Sequence, residues 1–234
     1  MNIKQPFIGF KTNCVLCGAA SGSALALCNP CHEEIQPLDT RDLCCPRCAL
    51  PLHATAEETL CGDCQKDPPP YSAAYRFALY QPPLDRMIQQ LKFHEKLHFA
   101  RLLGNLMARD IRRRNVTLPD VMLPVPLHTA RLKQRGYNQA LEVARYIARD
   151  LRLPLDLKSC VRHKATPEQA GLPAKQRTGN IKGAFQVARD VRDQHIAIVD
   201  DVMTTGSTVA ELARTLLKKG ARRVDVWVCA RAVL

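Results

Sequence analysis

The chain has 234 residues, 46% of them hydrophobic, and carries a formal net charge of +12 at pH 7. This length is enough for one mid-sized domain with a real core and a smaller second one. No apolar run approaches the roughly 18 residues that suggest a membrane span, and the first residues lack the apolar core of a signal peptide. We therefore expect a cytoplasmic protein with no membrane span.

The positive charge is unevenly distributed along the chain. Residues 1–70 contain five Lys and Arg against eight Asp and Glu, whereas residues 71–234 contain 29 against 14. An excess of positive charge in the larger part favours a polyanionic partner such as nucleic acid, or a phosphate-rich small ligand. A basic surface without any such partner would have the same composition.

Four Cys-x-x-Cys pairs lie in the first 64 residues. Ten residues separate the first pair from the second, and twelve separate the third pair from the fourth. Each pair turns two thiolates to one side of a tight knuckle, and two knuckles can complete a tetrahedral zinc site. The pattern predicts a tandem double zinc ribbon with two structural zinc ions, although redox or disulfide chemistry and cross-pairing between the units stay open. The candidate ligands are Cys14, Cys17, Cys28, Cys31, Cys45, Cys48, Cys61 and Cys64.

Two details of the knuckles follow from local chemistry. Cys44 adjoins Cys45 and could compete as a ligand, but the two-residue spacing to the next cysteine favours Cys45. Gly18 and Gly62 lie at or just after a knuckle, where a positive φ is often required.

A run of three prolines in "KDPPPY" (Lys66–Tyr71) ends the cysteine-rich segment. Successive prolines continue neither a helix nor a central strand. We therefore predict two domains, a double zinc ribbon over residues 1–68 and a larger domain over residues 71–234.

The larger domain alternates predicted strands with predicted helices. This alternation indicates an α/β fold, a parallel sheet with helices on both faces. Residues 195–199 are apolar without alternation, as expected of a strand that is buried on both sides. Strands are predicted over 71–80, 120–127, 195–201 and 224–230, and helical spacing is found over 83–111, 138–151 and 209–220.

The stretch "VDDVMTTGST" places two acids at the carboxyl end of the buried strand, where open α/β sheets bind their ligands. Backbone N–H groups, hydroxyls and the N-terminus of the next helix can surround a phosphate. The acids would then accept hydrogen bonds from the hydroxyls of a ribose. The Gly-Lys-Ser/Thr ending of a Walker loop is absent. The candidate ligand-binding residues are Asp200, Asp201, Thr204, Thr205, Gly206, Ser207 and Thr208.

The same stretch, "IAIVDDVMTTGST", resembles the phosphoribosyl-pyrophosphate (PRPP) motif of type I phosphoribosyltransferases. Together with "LPVPLHTARLKQRGYNQA" (123–140), "TPEQAGLPAKQRTGNIKGAF" (166–185) and the cysteine knuckles, it identifies the chain as similar to the ComF family. The resemblance implies a type I phosphoribosyltransferase-like domain preceded by the double zinc ribbon. It also implies PRPP or a nucleoside 5′-monophosphate as ligand, with Mg²⁺ accompanying PRPP.

The resemblance further implies roles for two basic segments. The segment after residue 126 corresponds to the loop that holds the pyrophosphate, and residues 162–180 resemble the mobile loop that closes over the substrate. Solvated surface charge is the alternative for both segments. The candidate catalytic residues are Arg131, Lys133 and Arg135 in the first segment and Arg162, Lys164 and Arg177 in the second.

Tyr137 either stacks on a base or covers the next helix, and neither His128 nor His163 is chosen as a general acid. An additional segment that reads an acceptor base would have to come from residues 71–118 or from the ribbons. The sequence does not indicate which base would be the acceptor.

The ComF resemblance implies a role in competence and in the use of extracellular DNA. The positive charge of residues 71–234, with Tyr137 and several arginines near the ligand edge, predicts single-stranded DNA as a partner. One alternative is a genuine phosphoribosyltransferase in nucleotide salvage, whose acceptor is unknown. Another is an adaptor whose zinc ribbons dock a helicase or a DNA-uptake protein. Whether the chain turns over PRPP is left open at this point.

Overall fold

The computed structural model describes residues 12–23, 25–35, 44–52, 60–165 and 181–233. The chain forms two compact units, Met1–Gln36 and Pro37–Leu234. The last four paired cysteines therefore belong to the same compact unit as the sheet. The division into domains at residues 68–71 stays a prediction.

The smaller unit holds the first pair of knuckles. Strands β1 (Thr12–Asn13) and β2 (Ala20–Ser21) pair antiparallel, and helix α1 (Asn29–Ile35) follows them. The sulfur atoms of the first four paired cysteines lie within 4.8 Å of one another. This unit is therefore built around a single cluster of thiols.

The larger unit repeats this local arrangement in residues 44–66. Cys45, Cys48, Cys61 and Cys64 also bring their sulfur atoms within 4.8 Å of one another. Helix α2 (Gly62–Lys66) begins directly after Cys61, as α1 begins directly after the corresponding cysteine of the first ribbon. The predicted duplication and the predicted pairing of neighbouring knuckles are confirmed within the described residues.

Both clusters have the dimensions of a zinc site. Tetrahedral ligation with Zn–S bonds of about 2.3 Å separates the sulfur atoms by about 3.8 Å. The Cys17 and Cys28 sulfurs are 3.6 Å apart, and those of Cys48 and Cys61 are 3.5 Å apart. The two sets of four thiols therefore fit two structural zinc ions.

The first knuckle of each ribbon closes with the same turn. Gly18 N–H donates to the Cys14 carbonyl at 2.9 Å, and Ala49 N–H donates to the Cys45 carbonyl at 2.8 Å. Gly18 has φ +77°, whereas the second ribbon places Ala49 at φ +58°. The expectation for Gly62 was wrong, because this residue begins a right-handed helix and has no positive φ.

A four-stranded parallel sheet forms the centre of the larger unit, with strand order β3-β8-β7-β4. The fold class predicted from the sequence is confirmed. The strands of this sheet are β3 (Ala73–Leu79), β4 (Val121–Pro124), β7 (His195–Met203) and β8 (Arg223–Arg231). The helices are α3 (Leu84–Phe93), α4 (His98–Arg113), α5 (Thr129–Arg135), α6 (Gln139–Leu151) and α7 (Ser207–Lys218).

Helices cover both faces of the sheet, as the uninterrupted apolar run in β7 predicts. Ile196 and Ile198 pack with the buried side of α7. Cys229 points to the opposite face of β8 from Val228, since side chains alternate along a strand, and its sulfur lies 3.3 Å from that of Met107 on α4. Each face of the sheet is therefore closed by apolar side chains from helices.

Three details differ from the expected pattern. The helical run 83–111 is two helices, broken at residues 94–97, where Glu95 has φ +55°. Strand β7 continues to Met203, so Asp200 and Asp201 lie inside the strand. A separate antiparallel pair, β5 (Cys160–Arg162) with β6 (Phe185–Val187), precedes β7. None of the described helices is long and apolar enough to cross a bilayer.

The second ribbon is joined to the sheet by buried arginines. Arg76 of β3 donates a hydrogen bond to the carbonyl of Ala49, the residue after the first knuckle. Arg231, the last residue of β8, donates from Nε to the Cys48 carbonyl at 2.9 Å. The ribbon is thus held by side chains of the sheet as well as by the continuous chain.

Arg231 also reaches the loop that follows β7. Its Nη1 atom donates to the carbonyls of Met203 at 3.0 Å and Ala232 at 2.7 Å, and to the carbonyl of Thr204. Only 5% of the residue is exposed. One guanidinium therefore satisfies backbone acceptors in the ribbon, in the loop after β7 and at the end of β8.

Replacing Arg231 by Met should lower the free energy of unfolding by about 3 kcal/mol, because several buried carbonyls lose a charged donor. Arg222→Met is the matched control, since Arg222 is 64% exposed and pairs with Asp120 at 3.2 Å, an interaction worth about 1 kcal/mol or less. Urea unfolding of both zinc-loaded variants measures the difference. Equal losses would contradict a structural role for the buried guanidinium.

Cys45 and Cys44 provide a direct test of the second zinc site. Cys45→Ser should reduce the zinc content from two ions per chain to about one, because a Cys₄ site that loses a ligand binds zinc much more weakly. Cys44→Ser should leave two, since Cys44 is outside the thiol cluster. Metal analysis of protein purified without added zinc decides between these outcomes. A wild-type ratio near zero would contradict both sites.

Candidate functional site

The carboxyl end of β7 and the first turn of α7 bring the predicted ligand-binding residues together. Thr204–Thr208, which we call the phosphate loop, are all partly exposed. Gly206 has φ +79°, and a Cβ atom there would lie 3.5 Å from the Tyr71 hydroxyl. The positive φ favours glycine at this point. The loop leads directly into α7, and the N-terminus of a helix suits an anion.

Hydrogen bonds within the phosphate loop position its hydroxyl groups. Thr205 Oγ1 lies 2.8 Å from Ser207 Oγ and accepts a hydrogen bond from the Ser207 N–H at 3.3 Å. Thr205, Gly206 and Ser207 also line one end of a cavity of about 880 Å³ that extends along α7. The lining of this cavity includes neither of the two acids, nor Thr204 and Thr208.

The two acids before the loop differ in exposure. Asp200 is partly exposed, and its Oδ1 accepts the Asp201 N–H at 2.9 Å. The Asp201 side chain is 3% exposed, and its Oδ1 accepts the Val202 N–H at 2.7 Å. Asp200 is thus the acid that presents surface to a ligand, whereas Asp201 is fixed by the backbone.

A lysine that the sequence analysis did not single out completes this group. Lys92, in the last turn of α3, places its Nζ 3.0 Å from Asp201 Oδ2. Its position follows from helical spacing. Ile88 and Leu91 are fully buried, and Lys92 lies four residues after Ile88, so both project from the same face of α3. The signal in the sequence that could have identified Lys92 is a lysine on the apolar face of a predicted helix. Residues 71–118 therefore contribute to the site through α3.

The carboxylates and the lysine shift one another's pKa values. Burial, together with the neighbouring Asp201 carboxylate, raises the pKa of Asp200 to about 8, and Lys92 opposes the rise. Burial lowers the pKa of Lys92, but Asp201 and Asp200 outweigh that effect, so its pKa is raised. The lysine stays charged and provides the positive charge that offsets the acids.

The first predicted basic segment is a short helix. The His128 ring nitrogen Nδ1 accepts the Ala130 N–H at 3.2 Å as N-cap of α5, and Gly136 ends the helix with φ +79°. Arg131 and Arg135 line a cavity of about 280 Å³, to which Lys133 does not contribute. The structure therefore separates Lys133 from the two arginines.

Tyr137 lies at the boundary between α5 and α3. Its hydroxyl donates a hydrogen bond to the Leu91 carbonyl. This contact holds the C-terminal turn of α3 against the segment after α5. The observed contact is with α3 and not with the next helix, so both roles considered for Tyr137 stay predictions.

The second predicted basic segment is described only in part. Arg162 ends β5, and its guanidinium lies 5.7 Å from the centre of the Phe185 ring. Burial lowers the pKa of Arg162, as does Arg131, whereas Asp200 raises it. Lys164 is exposed, and Arg177 lies outside the described residues. Arg162 is thus brought into the electrostatic neighbourhood of Asp200 and Arg131, and Lys164 has no described contact there.

Comparisons with known proteins agree with this arrangement. A phosphoribosyl transferase domain model matches residues 132–232, and a double zinc ribbon domain model matches residues 10–65. Among solved structures, glutamine PRPP amidotransferase from B. subtilis matches 55% of this chain and 25% of its own, at 19% identity and a TM-score of 0.38. That similarity is too low to support an argument about the site.

Relatives with names match nearly the whole chain. The DNA utilization protein YhgH of Escherichia coli K12 is 37% identical over 88% of this chain and 91% of its own length. The same protein from Salmonella typhimurium is 36% identical over the same shares. Competence protein F of Haemophilus influenzae is 34% identical over 95% of this chain and 98% of its own. On these identities the chain belongs to the ComF family, together with competence protein F and the YhgH proteins.

Proposed function

We propose that this protein acts in the handling and use of extracellular DNA, and that its phosphoribosyltransferase-like domain binds PRPP or a nucleoside 5′-monophosphate. The names of its relatives support the first part. The single observation that supports the second is the phosphate loop at the N-terminus of α7, which follows β7, a central parallel strand with two acids near its end. Reduced thiols in both Cys₄ sites suit the cytoplasm.

The ligand contacts two kinds of protein group, the phosphate loop and the acids of β7. Its phosphate binds the N–H groups and hydroxyls of Thr204–Thr208, which carry partial positive charge from the helix N-terminus. Its ribose hydroxyls donate to Asp200, the more exposed acid. This division explains why carboxylates stand beside a loop that suits an anion.

Mg²⁺ is proposed as the companion of PRPP at the two acids. Carboxylate oxygens are the ligands that Mg²⁺ prefers, and Asp200 and Asp201 offer them at one strand end. When bound, the ion would neutralise charge on the diphosphate. Arg131 and Arg162 would hold phosphoryl oxygens beside it, which is supported by the electrostatic interactions of Arg162 with Asp200 and Arg131.

Single-stranded DNA is the proposed macromolecular partner. The charge excess lies in residues 71–234. The arginines proposed to contact the DNA are Arg131 and Arg135 of α5, which are partly exposed, whereas the exposed Arg101, Arg109 and Arg149 lie on other helices, α4 and α6. Contacts to phosphates should dominate, so binding should depend on salt more than on sequence.

Asp200→Ala should weaken the binding of ribose 5-phosphate about tenfold, because a carboxyl acceptor of a ribose hydroxyl is lost, while inorganic phosphate loses less than about twofold. Thr205→Ala is the complementary variant and should weaken both ligands to the same degree. Isothermal titration calorimetry with each ligand measures the four affinities. Equal losses for both ligands in Asp200→Ala would refute the division between ribose and phosphate.

The DNA-handling proposal is tested by a salt series on the full-length, zinc-loaded protein. Fluorescence anisotropy with a single-stranded oligonucleotide should give a log–log slope of about −0.7 per phosphate neutralised. Replacing Arg131, Lys133 and Arg135 together by Gln should flatten the slope by up to about 2. The same replacement of Arg101, Arg109 and Arg149 is the matched comparison and should leave the slope unchanged. Binding that does not depend on salt would overturn the proposal and favour an adaptor.

A further inference from the structure

Lys92 lies between the acid pair and a small basic cavity. Its Nζ is 3.0 Å from Asp201 Oδ2, and the same residue lines the cavity of about 280 Å³ between α3 and α5, which we call the α3–α5 cavity. Its side chain is 23% exposed. A single ammonium group is therefore within reach of both places. The lining residues of the α3–α5 cavity are Lys92, Phe93, Glu95, Arg131, Gln134, Arg135 and Tyr137.

The charge of this cavity suits a compact polyanion. Lys92, Arg131 and Arg135 contribute three positive charges, against one negative charge from Glu95. Arginine and lysine differ in how they hold phosphates, since the guanidinium offers a fixed fork and the ammonium a mobile point charge. A diphosphate group presents enough oxygen atoms to contact all three cations.

The mobile partner of the ion pair is the lysine. Asp201 is 3% exposed and its second oxygen accepts the Val202 N–H at 2.7 Å, so the carboxylate is fixed. The backbone of α3 is also fixed, because Tyr137 donates to the Leu91 carbonyl and Leu91 is fully buried. The four-carbon stem of Lys92 can still turn its ammonium without moving either element.

We propose that Lys92 is an exchangeable counter-ion, which neutralises Asp201 in the free protein and moves its ion pair to a diphosphate group bound in the α3–α5 cavity. The move leaves Asp201 available for a ribose hydroxyl or a divalent cation. This inference rests on the proposed function, since it assigns the diphosphate end of the same ligand. It also extends the binding site to a helix outside the region matched by the transferase domain model.

Two effects of opposite sign follow from this exchange. In the free protein the ammonium competes with a divalent cation for Asp201, so removing its charge strengthens cation binding. In the complex the ammonium binds the diphosphate, so removing its charge weakens anion binding. A merely structural lysine would change both affinities in the same direction, or neither.

The experiment compares the full-length, zinc-loaded wild type with Lys92→Gln, whose amide can still donate to Asp201 and so preserves the fold. Inorganic diphosphate is titrated by calorimetry without divalent cation, and Mn²⁺ is titrated into the free protein by electron paramagnetic resonance as a probe for Mg²⁺. Lys92→Gln should bind diphosphate about tenfold more weakly and Mn²⁺ severalfold more tightly. Lys96→Gln, an exposed lysine in the same segment that does not line the cavity, should change neither.

Arg131→Gln keeps the experiment decisive if Lys92→Gln is poorly folded. It should weaken diphosphate binding, because Arg131 lines the cavity, and should change Mn²⁺ affinity less than Lys92→Gln does, because Lys92 is the residue that pairs with Asp201. Unchanged Mn²⁺ affinity in a folded Lys92→Gln protein would overturn the inference, as would unchanged diphosphate affinity. If ribose 5-phosphate binds the wild type and diphosphate does not, this inference fails alone. If neither ligand binds, the proposed function fails as well.

Discussion

The buried guanidinium of Arg231 is the interaction on which the rest of the larger unit depends. It donates to the Cys48 carbonyl in the ribbon, to Met203 and Thr204 after β7, and to Ala232. Burial lowers its pKa, and the Cys48 and Tyr71 side chains raise it. A zinc ion held by four thiolates carries a net negative charge, so the metal cluster is also an electrostatic partner for the buried cation. The ribbon, the sheet and the phosphate loop thus share one polar centre.

The site itself is organised by how negative charge is offset at the end of β7. Two adjacent carboxylates in a strand repel each other and would repel a phosphate. Lys92 from α3 neutralises part of that charge, and Arg162 lies near Asp200. The loop then needs only N–H groups and hydroxyls to receive an anion. Positive side chains from α3 and β5 thus interact with the two carboxylates of β7.

The sequence was informative wherever the chemistry is local. The eight paired cysteines, the apolar run of β7 and the loop after it are short, contiguous patterns, and the structure places them as expected. Lys92 was missed because its role depends on the fold bringing α3 to the end of β7. The left-handed Ala49 was missed because the acceptor geometry around Arg76 comes from β3, and residue type alone predicts glycine there.

The position of the second ribbon has a consequence for how such proteins can be rearranged. The proline run in Lys66–Tyr71 looks like a suitable point at which to join segments of two proteins. A chimera joined there would keep the zinc ligands intact. It would nevertheless separate the Cys48 carbonyl from Arg231 and the Ala49 carbonyl from Arg76. A junction that preserves these bonds lies between the two compact units, after Gln36. A chimera that keeps residues 37–234 together retains both of these hydrogen bonds between the second ribbon and the sheet.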